Sequence, residues 1–368
     1  MIQSHHSNST IEWFFIEVKR ELDYLNYAIQ LAEMVEGQTG TNPPVGAVIV
    51  KNGRIIGIGA HLKKGQKHAE IQAIDMAGAE HVAGSTMYVS LEPCSHYGET
   101  PPCAERIIEL GISKVIYAAR DVTLPSTGHA MMERAGIEVE YRKNVQMERS
   151  YQSFFSSKMN ALPIVTVKVS ASLDGKQATD SSESQWITSK AVKSDVFKLR
   201  HAHDAIITGN GTLSKDNPSL TVRKEEGHHP TRVILSKSGQ LQWESKMFHD
   251  LKAPIYIYTE NTQLTTDLEN VCIVKLKDCR IDYILKDLYE RGFGRVLVEA
   301  GPNITSQFLA SPFVTHFILY LAPKIIGGQG LYQFYQTAWV QELDQIPQFE
   351  IVHSEMLDTD LKLHLKRK

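Results

Sequence analysis

Apolar and polar positions alternate between helical and strand-like spacing through the first part of the chain. Residues 22–35 place apolar side chains every three or four positions, which predicts a helix. The runs VGAVIV and IIGIGAH flank the turn sequence KNGR and predict a β-hairpin. Further helices are predicted at 69–77, 102–110 and 129–135, and strands at 86–91, 114–118 and 137–141. A hairpin followed by βα repeats predicts a mixed sheet covered by helices.

A second alternation of strands and helices begins with IVTVKVS at Ile164. It predicts helices at 189–200 and 281–291 and strands at AIIT, RVILS, PIYIYT, CIVKL and RVLVEAG. The chain ends on FEIVHSEMLDTDLKLHLKR, where leucines alternate with charged or polar residues, as in a half-buried antiparallel strand.

The segment between the two alternations, residues 142–163, has no clean period. Phe154 and Phe155 nevertheless argue against a free linker, and we expect them to pack on one of the domains. We therefore predict a first domain over residues 1–145, a connecting segment over 146–162 and a second α/β domain over 163–368.

Bulk composition narrows the class of protein. A chain of 368 residues is too long for one ordinary core and suggests two domains. A hydrophobic content of 42% is typical of globular proteins, and a net charge of −3 gives no general basic field for nucleic acid. No run approaches the roughly 18 consecutive apolar residues of a membrane span, and no signal peptide is apparent. We expect a cytoplasmic protein with neither nucleic acid nor membrane as a partner, in which stable disulfides are uncommon.

The four cysteines divide into two kinds. Cys272 and Cys279 have no metal-ligand neighbours in the sequence and are interpreted as ordinary thiols. Cys94 and Cys103 are separated by eight residues in LEPCSHYGETPPC, an awkward spacing for a disulfide, a zinc finger or a catalytic metal site.

Upstream of these cysteines, KHAEIQAI places His68 and Glu70 at the start of a predicted helix. A hydrolytic zinc ion takes three protein ligands and leaves a fourth position for water, and His68, Cys94 and Cys103 supply such a set. Glu70 lies two residues past His68, close enough to take a proton from that water and deliver it to a leaving amine. A structural zinc with His96 as its fourth ligand is the alternative on the residues alone.

This order of residues, His-x-Glu and then Pro-Cys and a second cysteine, is the pattern of zinc deaminases that act on nucleobases. In that pattern the second cysteine follows the first after two residues, whereas here it follows after eight. A catalytic deaminase site is the interpretation that we favour.

The second half carries weaker signals of a nucleotide site. TGNGTLS places Gly209 and Gly211 after a predicted strand, and LVEAGPNITSQFLA places Gly301 between a strand and a helix. Backbone N–H groups in such turns can cradle phosphate, although a plain tight turn explains either motif alone. Two of them in one sheet suggest a nucleotide lying across its edge.

The chain resembles the family of bifunctional deaminase/reductases of riboflavin biosynthesis. The first half carries NPPVGAVIV, HAEIQAI and YVSLEPCSHYGETPPC, and the second carries KVSASLDGK, ESQWITS, LRH, DNPSLTVR, VEAGP and APKIIGG. The resemblance covers nearly the whole chain from Asp23, and the eight-residue gap ending in TPPC is typical of this family. It implies a cytidine-deaminase-like three-layer α/β/α domain followed by a dihydrofolate-reductase-like α/β domain.

The resemblance also implies two successive reactions on a small-molecule substrate. The first is hydrolytic deamination of 2,5-diamino-6-ribosylamino-4(3H)-pyrimidinone 5′-phosphate, with one zinc ion per chain on His68, Cys94 and Cys103 and with Glu70 as the proton shuttle. The second is reduction of the ribosyl group to ribityl by NADPH. A homo-oligomer is left open.

By motif position, the resemblance assigns further residues to ligands. NADPH contacts are implied for Ser170, Trp186, Thr212, Asp216, Ser236, Gly301, Pro302, Asn303, Ile304, Thr305, Ser306 and Gln307. Substrate contacts are implied for Asn42, Ser184, Arg200, Leu220, Arg223 and Glu299. The two arginines suit a phosphomonoester, although an ion pair is an arginine's more ordinary use.

Two residues are candidates for the chemistry of reduction. Lys168 and Asp216 are the candidates for assisting ring opening and proton delivery, and both lie within the second half. Asp216 is equally suited to a ribose contact or a helix cap.

Two loops depart from the family pattern. TNPPVG keeps Asn42 but has Pro44 where the family has asparagine, and DVTLPSTGH keeps Asp121 but lacks the usual Asn-Pro. Both loops are expected to border the pyrimidine. Two other functions stay open at this point: a nucleoside, base or tRNA-type deaminase with a non-catalytic C-terminal half, and a zinc-stabilised interaction module that is not an enzyme.

Overall fold

The computed structural model of the chain describes residues 23–98, 101–123, 127–181, 183, 187–222, 229–330, 332–336, 342 and 346–368. The chain divides into two compact units, Met1–Met159 and Asn160–Lys368. The domain limits expected from the sequence, at 145 and 163, stay predictions. Within the described ranges, no helix has the length and apolar character that crossing a bilayer requires.

The first unit is a five-stranded sheet with its helices packed on it. Its elements are α1 (23–34), β1 (Gly46–Lys51), β2 (Arg54–Ala60), α2 (Ala69–Ala77), a 3-10 turn (Ala79–His81), β3 (Thr86–Val89), α3 (Cys103–Glu109), β4 (Lys114–Tyr117), α4 (Gly128–Arg134), β5 (Glu138–Tyr141) and α5 (Val145–Asn160). The strand order is β2-β1-β3-β4-β5, in which β1 and β2 form an antiparallel pair and β3, β4 and β5 are parallel. The predicted hairpin and the βα repeats are confirmed.

Two glycines of β2 bring helix α2 into close contact with the sheet. A Cβ atom at Gly57 would lie 2.1 Å from the carbonyl oxygen of Ala73, and one at Gly59 would lie 2.2 Å from that of Ala69. Ala69 and Ala73 are themselves fully buried. Because only glycine permits this approach, β2 fixes the position of the first turn of α2, which carries Glu70.

Residues 145–160 form helix α5 instead of the irregular segment that their uneven period predicted. Met147, Tyr151 and Phe155, spaced by four residues, are buried in the core of the first unit, and Phe154 packs against it. The hydroxyl of Tyr151 donates a hydrogen bond of 2.7 Å to the carbonyl oxygen of Pro44. The expectation that the two phenylalanines pack on one domain is confirmed. The helix was not predicted because its apolar stripe is only one residue wide. The rest of the helix surface is polar, so the helical period is weak in the sequence.

The second unit is a nine-stranded sheet. Its elements are β6 (Ile164–Ser172), α6 (Lys190–His201), β7 (Ala205–Gly209), α7 (Asn210–Asp216), β8 (Thr231–Leu235), a 3-10 turn (Lys246–Phe248), β9 (Ile255–Thr259), β10 (Val271–Lys275), α8 (Ile281–Glu290), β11 (Arg295–Val298), α9 (Pro302–Ala310), β12 (Val314–Ala322), β13 (Phe349–Leu357) and β14 (Asp360–Arg367). The strand order is β10-β9-β8-β7-β11-β6-β12-β14-β13. Strand β12 was not predicted. The predicted antiparallel strand at the end of the chain is β14, which pairs with β12 and β13.

In the second unit, parallel strand pairing places the candidate functional residues at one edge of the sheet. Strands β8, β7, β11 and β6 are adjacent and parallel, so their carboxyl ends meet at the same edge. At the end of β7, a Cβ atom on Gly209 would lie 2.3 Å from Cδ1 of Ile304 in α9. Gly209 therefore serves the packing of α9 against β7, which brings Gly301 to this edge.

Candidate active sites

Three potential metal ligands meet in the first unit. His68 immediately precedes α2, Cys94 follows β3, and Cys103 is the first residue of α3. Nδ1 of His68 lies 3.6 Å from Sγ of Cys94 and 3.3 Å from Sγ of Cys103. All three atoms lie within 4.8 Å of one another, and no further His, Cys, Asp or Glu of the described chain belongs to this group.

The spacing of these atoms fits a zinc ion. Typical zinc bonds of about 2.3 Å to sulfur and about 2.0 Å to nitrogen separate the two ligand atoms by about 3.6 Å in a tetrahedral site. Two thiolates and one imidazole also form a donor set that zinc prefers. The residues present therefore fit the metal that the sequence pattern predicted.

The start of α3 stabilises the Cys94 thiolate. The Cys103 thiol and the backbone N–H of Cys103 both interact with Sγ of Cys94, the latter at 3.3 Å, and His68 lies beside it. These interactions, the Cys103 thiol first, outweigh burial and hold the pKa of the Cys94 thiol far below its usual range. Two cysteines with eight residues between them thus act as one unit.

The first residues of the loop after Cys94 turn toward solvent. His96, Tyr97 and Gly98 are exposed, and the hydroxyl of Tyr97 donates a hydrogen bond of 2.6 Å to Oε2 of Glu105 on α3. His96 does not join the group of metal ligands. The structural-zinc alternative therefore lacks the fourth protein ligand that the sequence analysis had considered for it.

Glu70 lies beside the metal ligands with only 4% of its surface exposed. Burial raises the pKa of this carboxyl to about 7, and the negative charge of Cys94 adds to the rise. A buried carboxyl with a pKa near neutrality can both accept and release a proton, which is the property that a general acid–base group requires.

A buried histidine that was not predicted from the sequence, His61, connects Asn42 to the metal ligand His68. His61 is 2% exposed, and its ring packs edge-on against His68 with 5.4 Å between centroids. Nδ1 of His61 lies 3.2 Å from the carbonyl oxygen of Lys67, which can only accept, so this nitrogen carries the proton. Nε2 then accepts from the Asn42 amide at 3.1 Å, and burial lowers the pKa of His61, which keeps the ring neutral. The sequence signal that could have identified His61 is its position directly after strand β2.

Glu92 accepts hydrogen bonds from both ends of loop 121–129, one of the two loops that depart from the family pattern. Oε1 of Glu92 accepts from the backbone N–H of His129 at 2.9 Å, and Oε2 accepts from that of Asp121 at 3.4 Å. A Cβ atom on Gly128 would lie 1.9 Å from the carbonyl oxygen of Pro93. Both ends of the loop therefore pack against the LEPC segment next to Cys94.

A cavity of about 800 Å³ opens at the carboxyl edge of the second sheet. Its lining contains many of the residues that the resemblance had assigned to ligands: Lys168, Ser170, Arg200, Thr212, Asp216, Ser236, Glu299, Gly301, Pro302, Asn303, Ile304 and Gln307. Thr305, Ser306 and Leu220 are buried and are not among the described lining residues. Ser184, Trp186 and Arg223 lie outside the described part of the chain.

The polar groups of this cavity suit a ligand that donates hydrogen bonds. Oγ1 of Thr212 accepts from the backbone N–H of Gly301 at 3.1 Å, which ties the start of α7 to the start of α9. Oε1 of Gln177 and Oδ1 of Asn210 are buried, have no hydrogen-bond partner among the described residues, and belong to lining side chains. Unpaired buried acceptors are costly, so a ligand that donates N–H groups, as a nicotinamide or an adenine does, would satisfy them.

Lys168, Arg200 and Glu299 form a buried charge cluster in the cavity wall. Nε and Nη2 of Arg200 bind the two carboxylate oxygens of Glu299 at 2.9 and 2.7 Å, and Nζ of Lys168 lies 3.6 Å from the same carboxylate. Burial alone would raise the pKa of Glu299, but Arg200 and Lys168 outweigh it and lower the pKa to about 2. The bidentate edge of Arg200 orients Glu299, which is 99 residues away in the chain, and the expected contact of both residues with the substrate stays a prediction.

Lys168 is the group of this cluster that could donate a proton. Burial lowers the pKa of its ammonium group, Glu299 opposes that effect, and Arg200 adds to it. A lowered pKa makes the ammonium a better acid while Glu299 keeps it in place. Asp216 ends α7 and lines the same cavity.

Comparisons with known protein families divide the chain into the same two halves. A family described as the cytidine and deoxycytidylate deaminase zinc-binding region matches residues 18–119, and the RibD C-terminal domain family matches residues 163–363. The riboflavin biosynthesis protein RibD of Bacillus amyloliquefaciens is 38% identical over 351 residues, which cover 92% of this chain and 94% of that protein. RibD of Escherichia coli (strain K12) is 31% identical over 363 residues, or 93% and 98% of the two chains.

Solved structures agree with this division. The crystal structure of a diaminohydroxyphosphoribosylaminopyrimidine deaminase/5-amino-6-(5-phosphoribosylamino)uracil reductase from Thermotoga maritima superposes with a TM-score of 0.84 at 35% identity, covering 95% of this chain and 99% of that one. One form of Acinetobacter baumannii RibD gives a TM-score of 0.82 at 33% identity, covering 96% and 100%.

Proposed function

Because the chain belongs to the RibD family of bifunctional riboflavin-biosynthesis enzymes, with a zinc-dependent deaminase half and a reductase half, we propose that its two sites act in succession on one substrate. The substrate is 2,5-diamino-6-ribosylamino-4(3H)-pyrimidinone 5′-phosphate. The first site replaces a ring amine with oxygen, and the second reduces the ribosyl group to ribityl with NADPH. The observation that carries the proposal is the cluster of His68, Cys94 and Cys103 beside the buried carboxyl of Glu70.

In the first site, His68, Cys94 and Cys103 would hold the zinc ion. Zinc in such a site makes water a nucleophile at neutral pH. Glu70 accepts the proton that is released as oxygen adds to the ring carbon, and it returns that proton to the departing amine, which leaves as ammonia. Asn42 holds His61, which in turn packs against His68 and restricts its ring.

In the second site, the start of α9 and the hydroxyl of Thr212 would hold the phosphates of NADPH, and Ser170, Ser236 and Asp216 line the same cavity. NADPH supplies the hydride. Lys168 gives a proton to the ribose ring oxygen as the ring opens, and Glu299 and Arg200 keep the ammonium group of Lys168 in position. Asp216 is the second candidate for proton transfer.

Zinc content tests the first site directly. We expect purified protein to contain about one zinc ion per chain, and Cys103→Ser to lose both this zinc and ammonia release, because a hydrolytic site needs all three ligands. Metal content and ammonia release are the two measurements. NADPH binding, measured by fluorescence titration, is expected to be unchanged in the same variant.

Cys272→Ser is the matched control, since Cys272 is an exposed thiol of the second unit. It should retain zinc and both activities. A Cys103→Ser protein that keeps its zinc and releases ammonia at the normal rate would refute the ligand assignment. If the protein were instead a deaminase with a non-catalytic second half, the wild-type protein would bind no NADPH. Cytoplasmic location and any homo-oligomer stay predictions.

A further inference from the structure

The cavity of the second unit extends across four strand ends. Lys168 and Ser170 lie on β6, Glu299 follows β11, Gly209 ends β7, and Ser236 follows β8; all five line the cavity. Neighbouring strands are about 4.8 Å apart, so the three spacings from β6 to β8 span roughly 14 Å. A cleft of this length across the carboxyl ends of parallel strands is the usual place for an extended dinucleotide.

The charge cluster fixes which end of the cofactor lies where. If reduction occurs beside Lys168 and Glu299, the nicotinamide must lie at the β6 and β11 end, because hydride passes only between groups in contact. Gly301 and the start of α9 follow β11 and suit the pyrophosphate in the middle of the cofactor. The adenosine ribose then lies at the far end, over the end of β8.

Hydrogen bonds hold the backbone of the turn after β8, and the turn carries one basic residue, Lys237. Ser236, Lys237 and Ser238 line the cavity there. The turn is closed by a hydrogen bond of 3.0 Å from the backbone N–H of Gly239 to the carbonyl oxygen of Ser236, and Gly239 has a φ of +71° that favours glycine. From the neighbouring strand, the hydroxyl of Thr259 donates to the carbonyl oxygen of Lys237 at 3.1 Å. The backbone is therefore held in place, and the Lys237 side chain is the part that can move.

Lys237 is available to an anion at this end. Its side chain is 66% exposed, and its one described ion pair is with Oε1 of Glu260 at 3.2 Å, a surface contact of low expected strength. Lys215, which also lines the cavity, is instead held against Tyr332, with 2.6 Å between Nζ and the hydroxyl oxygen. The lining residues of the β8 turn include no carboxylate of the kind that binds a free ribose 2′-hydroxyl in NAD sites.

We propose that Lys237, assisted by the hydroxyl of Ser238, binds the 2′-phosphate of the cofactor and thereby selects NADPH over NADH. The Ser238 hydroxyl accepts from the backbone N–H of Gln240 and so keeps its own hydrogen to donate, whereas that of Ser236 is donated to the Gln240 carbonyl oxygen. This inference rests on the proposed reductase function. Lys237 would then set the preference for NADPH, a cofactor that the sequence implied only through the family resemblance.

Calorimetric titration of the full-length protein with NADPH, NADH, 2′,5′-ADP and 5′-ADP tests the proposal without relying on turnover. Lys237→Ala should weaken the binding of NADPH and of 2′,5′-ADP by about ten- to a hundredfold, the usual loss for a charge-assisted contact to phosphate. The same variant should bind NADH and 5′-ADP within about twofold of wild type, since neither carries the phosphate.

Three further variants sharpen the comparison. Lys237→Arg should retain most of the preference for NADPH, because it keeps the positive charge. Glu260→Gln should leave NADPH binding equal or stronger, since it removes the carboxylate that competes for Lys237. Lys286→Ala, which removes an exposed lysine of α8 outside the cavity lining, is the matched control and should change nothing.

Two results would overturn the assignment and can be told apart. If wild type prefers NADPH and Lys237→Ala keeps that preference, or loses NADPH and NADH binding equally, Lys237 does not bind the 2′-phosphate although the reductase function stands. If wild type binds none of the four ligands, the proposed reductase function fails and takes this inference with it.

Discussion

Glu70→Gln is expected to lower the rate of ammonia release by about 10²- to 10⁴-fold, the usual contribution of a general acid–base group. Glutamine has the shape of the glutamate side chain but cannot take a proton from water or return it to the leaving amine. Zinc should remain bound, because Glu70 is not one of the three clustered ligands. The measurements are ammonia release from the diaminopyrimidine substrate and the zinc content of the purified variant.

Glu80→Gln provides the control for this substitution, since the Glu80 side chain is 73% exposed and pairs only at the surface with His81. It should release ammonia at the wild-type rate. The Glu70→Gln protein should also reduce the pre-deaminated intermediate normally. Normal ammonia release by Glu70→Gln would remove Glu70 from the mechanism, and loss of zinc would show that its role is structural.

Lys168→Met is expected to slow NADPH-dependent reduction by about 10²- to 10³-fold while ammonia release stays at the wild-type rate. Methionine fills a similar volume but has no proton to give to the ribose oxygen. Glu299 keeps its two hydrogen bonds to Arg200, so its carboxylate remains paired and the fold should persist. Single-turnover oxidation of NADPH with the deaminated intermediate is the measurement, because it isolates the chemical step from product release.

Lys198→Met is the control, because Lys198 lies on α6 as an exposed lysine. NADPH should bind to Lys168→Met within about threefold of wild type, which separates a chemical role from a binding role. Unchanged reduction in Lys168→Met would leave Asp216 as the remaining candidate. A parallel loss of deamination would indicate a general folding defect instead.

The metal site could be predicted from the sequence because its residues lie in two short motifs. His68 and Glu70 are two residues apart, and the two cysteines belong to one loop and the helix that it enters. The eight-residue gap looked awkward because sequence spacing does not show that residues 96–98 turn toward solvent. In the structure, Tyr97 binds Glu105 on the surface while the Cys103 amide binds Cys94.

What the sequence did not show depends on contacts between distant segments. Arg200 binds Glu299 through two hydrogen bonds, and no local pattern links two residues 99 positions apart. Helix α5 was missed because its buried residues form a narrow stripe whose packing surface belongs to α1 and the sheet. His61 was missed because its relation to His68 is one of ring packing.

The central claim is that two sites on this chain act in a fixed order on one molecule. Its most direct test follows ammonia and NADPH together after the diaminopyrimidine ribosyl phosphate is mixed with wild-type protein. The account predicts one NADPH oxidised for each ammonia released, with a lag before NADPH oxidation begins. NADPH oxidation without ammonia release, or ammonia release that leaves NADPH unconsumed, would contradict it.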